Sequence, residues 1–418
     1  MKKEYALKMD KKDPISIYKN DFLYMEKSPI KKIYFCGNSL GLQHRSIKTE
    51  VLNHLKKWSD YAVDAHFIGK VPWINIQENI KSIIKELIGC KESEIAIMNA
   101  LSVNLHLLMI SFFRPSKKRN KILIEEHAFS SDRYVINSQL KYHGYNENSI
   151  ISLKPKSKYC LTSIDIINTI EKNKDSLSMV LLPGIQYYTG QFFDLKEISK
   201  FCKKHNIIFG VDLAHAIGNI NLKLNECDID FASWCSYKYL NSGPGGISGV
   251  YVNSKHLEKD LLKFEGWWGN DINTRFNMDS NIDDYKSAEG WVISNPPIIL
   301  MSMHLASLKV FKKVGFSNLL KKSKTLTKFL YDSLVDLDLY KKTFEIITPQ
   351  NPNERGCQLS LFFYEDAKEV FDKLIENNFV PDFRKPNVIR VSPVPFYNSF
   401  YEVFLFVETL DKILKNLD

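Results

Sequence analysis

The sequence predicts an α/β fold: a large unit built on a mostly parallel, mixed sheet, followed by a small α+β unit. Short apolar, β-rich runs alternate with segments whose apolar residues recur at helical spacing, which is the pattern of βα units. The strand-like runs are apolar almost throughout, as strands buried on both faces are. At 418 residues and 44% apolar composition, the chain is long enough for one large and one smaller domain around sizeable cores.

Taken in order, helical spacing runs through SIKTEVLNHLKKWSDYA (46 to 62), NLHLLMISFF (104 to 113), TSIDIINTIEKN (162 to 173) and LKEISKFCKKH (195 to 205). The intervening strands are KILI (121 to 124), SMVLL (178 to 182), IIFGVD (207 to 212), DIDFAS (228 to 233) and SGVYV (248 to 252). After Pro296-Pro297, IILMSMHLASLKVFKKVG and its continuation to about residue 336 read as long helices. The remainder holds strands FEII (344 to 347), QLSLFF (358 to 363) and VIRVS (388 to 392), with a helix over 366 to 377 and a last helix at the end. The expected division is an N-terminal segment over 1–45, a large domain over 46–300, and a long helix with the small α+β unit over 301–418.

Composition narrows the function. Eight of the 57 basic residues are Arg, and the lysines lie mostly as pairs scattered among acids, so the net charge of +9 describes a solvated surface rather than a nucleic-acid stripe. The seven cysteines are odd in number and contain no C-x-x-C pair, which argues against a disulfide framework or a structural zinc and for a reducing compartment. The start, MKKEYALKMDKKDP, has no apolar core of a signal peptide, and no run approaches membrane-spanning length. The expectation is a cytoplasmic protein with no metal, no nucleic-acid partner and no membrane association.

Chemistry is sought beyond the carboxyl ends of the strands, where ligands bind in such sheets. IIFGVD ends in Asp212, and IDFAS ends just before Lys238, which lies between two tyrosines in an otherwise charge-free run. A lysine in a packed segment ordinarily carries its ammonium out to water. An amine held in an imine with a cofactor aldehyde has no such need, and a carboxylate holding a pyridine nitrogen protonated would complete the set that pyridoxal 5′-phosphate requires. The plain alternatives are an N-cap role for Asp212 and a structural lysine paired with Asp228 or Asp230.

FCGNSLGLQ (35 to 43), LSVNLHLLMISFF (101 to 113), YYTGQFFD (187 to 194), FGVDLAHAIGN (209 to 219), SWCSYKYLNSGPGG (233 to 246), GWWGN (266 to 270), SNPP (294 to 297) and IRVSPVPFYNSF (389 to 400) together resemble the kynureninase family. The resemblance runs in order from about residue 30 to residue 400. It implies a pyridoxal-phosphate enzyme of the aspartate-aminotransferase-like fold that cleaves the Cβ–Cγ bond of L-kynurenine or 3-hydroxy-L-kynurenine by hydrolysis.

The same resemblance assigns residues. Lys238 is the imine-forming lysine and proton shuttle, Asp212 the partner of the pyridine nitrogen, and Tyr237 a phosphate contact and candidate acid; His215 lies beside the cofactor in either a catalytic or a structural role. Leu101 and Ser102 open the helix that receives the phosphate, where a bare N-cap serine is the alternative. Phe129 stacks on the ring with Asp132 nearby. Pro183 stands where relatives commonly carry a hydroxyl residue. Arg390 clamps the substrate α-carboxylate with Ser39 close by, and a guanidinium suits that task because it bonds a carboxylate through two parallel N–H groups. Trp267 and Asn295 are supplied across a homodimer interface, and His66 and Ser294-Asn295 line the pocket for the substrate ring; a solvent-facing His66 is the alternative. A cysteine desulfurase of the same fold, or a non-catalytic binding protein that keeps it, are the rival readings.

Overall fold

In the computed structural model, residues 2–25, 31–156 and 159–417 are described; residues 26–30, part of the expected N-terminal segment, lie outside them. The larger sheet has seven strands: β1 (Ile95–Ile97), β2 (Lys121–Glu125), β3 (Ile150–Leu153), β4 (Leu177–Pro183), β5 (Ile208–Asp212), β6 (Phe231–Trp234) and β7 (Gly249–Val252). Their spatial order is β1-β7-β6-β5-β4-β2-β3. The run β6-β5-β4-β2-β3 is parallel, and β7 is antiparallel to both its neighbours, so the sheet is mixed, as expected.

The central strands are buried on both faces because helices cover both. Leu101–Phe112 and Ser130–Tyr142 pack Leu105, Leu108, Phe112 and Ile136 on one side. Ile76–Ile88, Leu195–Lys204 and Ile298–Val314 pack Ile80, Ile84, Ile198 and Leu305 on the other. Three details depart from the sequence reading. The strand expected from residue 228 starts at Phe231, because Asp228 is held at φ 52°, outside the extended region. No regular helix follows Asp212; hydrogen-bonded turns run from Ala214 to Gly218 instead. The strands β1 and β3 and the helices Ile76–Ile88 and Ser130–Tyr142 had no counterpart in the reading, β1 being only three residues long.

A second, four-stranded sheet comprises β8 (Phe344–Ile346), β9 (Leu359–Phe363), β10 (Asp382–Arg384) and β11 (Val388–Val391), ordered β8-β9-β11-β10 and antiparallel throughout. It shares a core with helices Phe316–Val335, Ala367–Glu376 and Phe400–Lys415. The beginning of the chain joins this layer. Ala6, on helix Lys2–Lys12, is buried in the same core, Asp10 accepts from the backbone N–H of Phe400 (2.7 Å) and Tyr401 (2.9 Å), and Ile33–Tyr34 pairs in parallel with Phe379–Val380.

Gly210 sits in the middle of β5, and a Cβ there would fall within the Phe231 ring of β6. The ring is fully buried and stacks on Phe112 at 4.9 Å, so it has nowhere to go. Gly210→Ala is expected to destabilise the protein by about 1 to 3 kcal/mol through overpacking. Chemical unfolding measures this; an unchanged midpoint would show that the Phe231 ring can move aside.

Candidate active site

The parallel pairing of β5 with β6 sets Asp212 opposite Ser233, so the carboxylate and the loop that follows β6 emerge at the same sheet edge. That loop carries Tyr237 and Lys238. Lys238 is buried, and its Nζ lies 3.0 Å from His215 Nε2 and 5.8 Å from the centre of the Phe129 ring. Asp228 and Asp230 do not pair with it. Asp228 bonds Lys203 and Lys255, while Asp230 bonds His256 (2.7 Å), Lys255 (2.9 Å) and the Phe209 backbone N–H (2.7 Å).

The cleft around Lys238 is lined by Leu101, Ser102, Phe129, Asp132, Pro183, Asp212, His215 and Tyr237, all eight expected from the sequence. Glu125, Ser131, Ile185, Tyr187, Ala214 and Cys235, which had not been singled out, complete it. Glu125 was findable by the rule that found Asp212, since it ends β2.

Charge in this cleft is unbalanced. Glu125, Asp132 and Asp212 are buried together with one lysine. Burial raises the pKa of all three: Glu125 is pushed up to about 8, and Asp132, which also faces the Asp212 carboxylate, goes well above the usual range. Lys238 opposes the rise at Asp212, whose carboxylate also accepts from the Ala214 N–H at 2.7 Å. His215 is driven the other way, its charged form disfavoured by burial and then by Lys238, so a neutral ring accepts from the amine. Two buried polar atoms, Asp132 Oδ1 and His215 Nδ1, have no partner among the described residues.

Three carboxyl groups around one amine, with orphaned polar atoms beside them, fit a ligand that brings positive charge on a ring. Nearby, the helix Leu101–Phe112 begins at Ala100 with no side-chain cap, leaving the first amides without intrahelical partners, and Ser102 and Ser131 face each other at 2.8 Å. That end suits a phosphate. The residues present therefore fit pyridoxal 5′-phosphate at both ends of the molecule. Tyr237 is half-buried with its pKa raised by burial and then by Cys235, so it keeps its proton.

Arg390, on β11, is 1% exposed. It donates to the Tyr187 carbonyl (2.7 Å), to Ser39 Oγ (3.3 Å) and to the Asp382 carboxylate, which Ser39 and Arg384 also contact. Ser39 arrives here because residues 36–41 thread between the two sheets. Cys36 bridges Ser392, and Gly41 donates to the Tyr237 carbonyl at 2.8 Å where a Cβ would strike Lys238 O and Asn241. Asp382 had not been singled out.

His66, Trp267 and Asn295 are not part of this cleft. His66 bonds the Val63 carbonyl at 3.0 Å, Trp267 is 40% exposed and bonds the Arg275 carbonyl, and Asn295 is exposed. His66 and Trp267 do fall on one surface, joined through the exposed rings of Phe67 and Phe276.

Comparison with known proteins places this geometry. The kynureninase C-terminal domain profile matches residues 319–410. The chain is similar to the kynureninase of Flavobacterium psychrophilum, 44% identical with 99% of this chain and 98% of that one covered. It is also similar to those of Mus musculus (42%, 98% and 92% covered) and Homo sapiens (45%, 92% and 85% covered). Among solved structures, a cysteine desulfurase from Thermococcus onnurineus superposes with a TM-score of 0.77 over 96% of this chain and 98% of that one, at 17% identity, a likeness of fold. With near-complete coverage at such identity, and a cleft whose charges fit the family's cofactor, the chain belongs to the kynureninase family.

Proposed function

We propose that this protein hydrolyses L-kynurenine or 3-hydroxy-L-kynurenine to anthranilate or 3-hydroxyanthranilate and L-alanine, with pyridoxal 5′-phosphate in the cleft. The observation that carries the reading is the convergence of Asp212, Lys238 and His215 at one sheet edge, within a chain 44% identical to a kynureninase over nearly its whole length. When bound, the cofactor supplies an electron sink for the charge that develops at the substrate Cα.

The chain's own residues divide the remaining work. Leu101, Ser102 and Tyr237 would hold the phosphate, Asp212 would pair with the ring nitrogen, and Phe129 would stack on the ring with Asp132 close by. Pro183 offers neither hydroxyl nor N–H, which weakens the hold by about 1 kcal/mol without altering the chemistry. Arg390 takes the α-carboxylate of the substrate while Ser39 and Asp382 keep its guanidinium in place. Lys238 Nζ carries the proton away from Cα, and neutral His215 fixes the amine through Nε2. Water adds to the γ-carbonyl and the Cβ–Cγ bond breaks, the water oxygen leaving in the anthranilate carboxyl group; Tyr237 delivers a proton to Cβ and regains the one that water sheds, and Lys238 gives its proton back to Cα before alanine leaves.

A desulfurase is the weaker reading. Cys357, in the C-terminal third, is fully buried with its thiol pushed up to about 12, so no thiolate is available there at neutral pH. We further propose a homodimer in which Trp267, Asn295 and His66 complete the partner's site, and a cytoplasmic role in tryptophan breakdown or pyridine-nucleotide synthesis. Among the described residues no helix is long and apolar enough to cross a membrane.

Lys238→Ala is expected to lower turnover by several orders of magnitude and to leave no cofactor attached after borohydride treatment and denaturation. Retention of substantial activity would refute the role given to Lys238.

Glu125 ties stability to pH. Its folded value near 8 lies above the usual 4.5, so between these values the folded chain holds a proton that the unfolded chain has released. Stability therefore falls as pH rises through that window, and the loss is complete above it. Cofactor-free Glu125→Gln should be more stable than wild type, by a margin that opens from pH 5 to pH 8 to as much as about 4 kcal/mol. The same margin at both ends would mean that Glu125 ionises like an exposed carboxyl group.

The shared-site proposal predicts complementation. Mixing inactive Lys238→Ala with an inactive Trp267→Ala protein should restore activity, because a hybrid dimer holds one site free of both lesions. A fully active monomer in size-resolved assays would rule this out.

A further inference from the structure

We infer that the protein carries a second ligand site, for a small phosphoryl-bearing anion, in a cleft of about 410 Å³ between helix Phe316–Val335 and residues 352–356. Lys321, Lys324 and Thr327 are three residues apart and share one face of that helix. Arg355 comes from the facing loop. It is 5% exposed, its guanidinium lies 4.7 Å from the Tyr331 ring centre, and Nη1 donates to the Pro349 carbonyl at 2.7 Å.

These three cations differ from their neighbours. On the same helix, Lys322 pairs with Asp13 (2.7 Å) and Lys328 with Asp332 (2.5 Å). Among the described residues, Lys321, Lys324 and Arg355 have no carboxylate ion pair; Lys324 meets only the Asn353 amide oxygen, at 3.1 Å. No acidic side chain lines the cleft. Asp332 and Glu354 stand near it, the first engaged with Lys328 and the second with Asn351.

Thr327 supplies an independent sign. A helical threonine ordinarily bonds back to the carbonyl one turn earlier. Thr327 is 2% exposed, lines the cleft, and its Oγ1 has no partner among the described residues. A buried hydroxyl, a guanidinium fork and two ammonium groups with no counter-charge match the oxygens and the multiple charge of a phosphoryl group; a single carboxylate would leave most of that charge uncompensated.

The site is wired to the chemistry. Asn219 lines the same cleft, accepts from the Cys357 N–H at 3.0 Å through Oδ1, and donates through Nδ2 to the His215 carbonyl at 2.9 Å. His215 meets Lys238. An anion that draws residues 352–356 toward the helix therefore acts on the backbone carrying His215, and this coupling, unlike the binding, rests on the function proposed above.

Titration calorimetry of the cofactor-loaded protein with sodium pyrophosphate, at fixed ionic strength, tests the site. Saturable binding of one pyrophosphate per chain is expected, with citrate weaker by at least about tenfold. Lys321→Glu with Lys324→Glu changes two exposed residues remote from the active site, so it should fold and turn over normally while losing pyrophosphate affinity by at least about tenfold. No saturable binding, undiminished binding in the double variant, or citrate binding as tight as pyrophosphate would overturn the site. Saturating pyrophosphate should change kcat/KM at least about twofold in wild type and leave the double variant unmoved. A wild-type rate that does not respond overturns the coupling, and the calorimetry judges the site without any turnover.

Discussion

The parallel register between β5 and β6 is the constraint on which the active cleft depends. Asp212 ends one strand directly across from Ser233 on the next, and the four residues beyond Trp234 bring Lys238 back over the same edge. Parallel strands twist together and end together, so a one-residue slip would turn the Asp212 side chain to the opposite face. The register is fixed by burial on both faces, above all by Phe231 filling the space that Gly210 leaves open. Fold stability and the placement of charge are thus set by the same contacts.

The cleft concentrates carboxyl groups that would be unfavourable in an ordinary core. Burying Glu125, Asp132 and Asp212 together raises their proton affinity, and one lysine does not compensate them. Such frustration is common where a ligand completes the electrostatics. Arg390 shows the converse design: a fully buried guanidinium kept paired by Asp382, Ser39 and a backbone carbonyl. One half of the site has an excess of acid, and the other a guanidinium anchored by the protein through Nη1 and Nη2.

Much of this could be read in the sequence, for identifiable reasons. The alternation of apolar strands with helices exposed the sheet, and strand-end logic picked out Asp212 and Lys238, because a charge closing an apolar run is conspicuous. Asp382 was invisible by that logic: β10 is only Asp-Phe-Arg, too short and polar to register as a strand, and its carboxylate finds Arg390 through antiparallel pairing with β11. The turns after Asp212 were read as a possible helix start because an aspartate closing a strand is a good N-cap; Gly218 at φ 73° and packing under Tyr239 and Leu240 prevail over it. His66 and Trp267 were singled out by resemblance alone, and no local pattern distinguishes an exposed ring that awaits a neighbour from one that does not.

The two ends of the chain meet. Helix Lys2–Lys12 packs against helix Phe400–Lys415, and Asp10 caps its first amides. During synthesis helix Lys2–Lys12 must therefore wait for helix Phe400–Lys415 while the intervening 380-odd residues emerge, on the order of tens of seconds at ordinary elongation rates. The larger sheet can close in that interval from residues that lie together in the middle of the chain. Ser39 and Arg390 are 351 residues apart in sequence, so their contact forms only after the residues around Lys238 have been made.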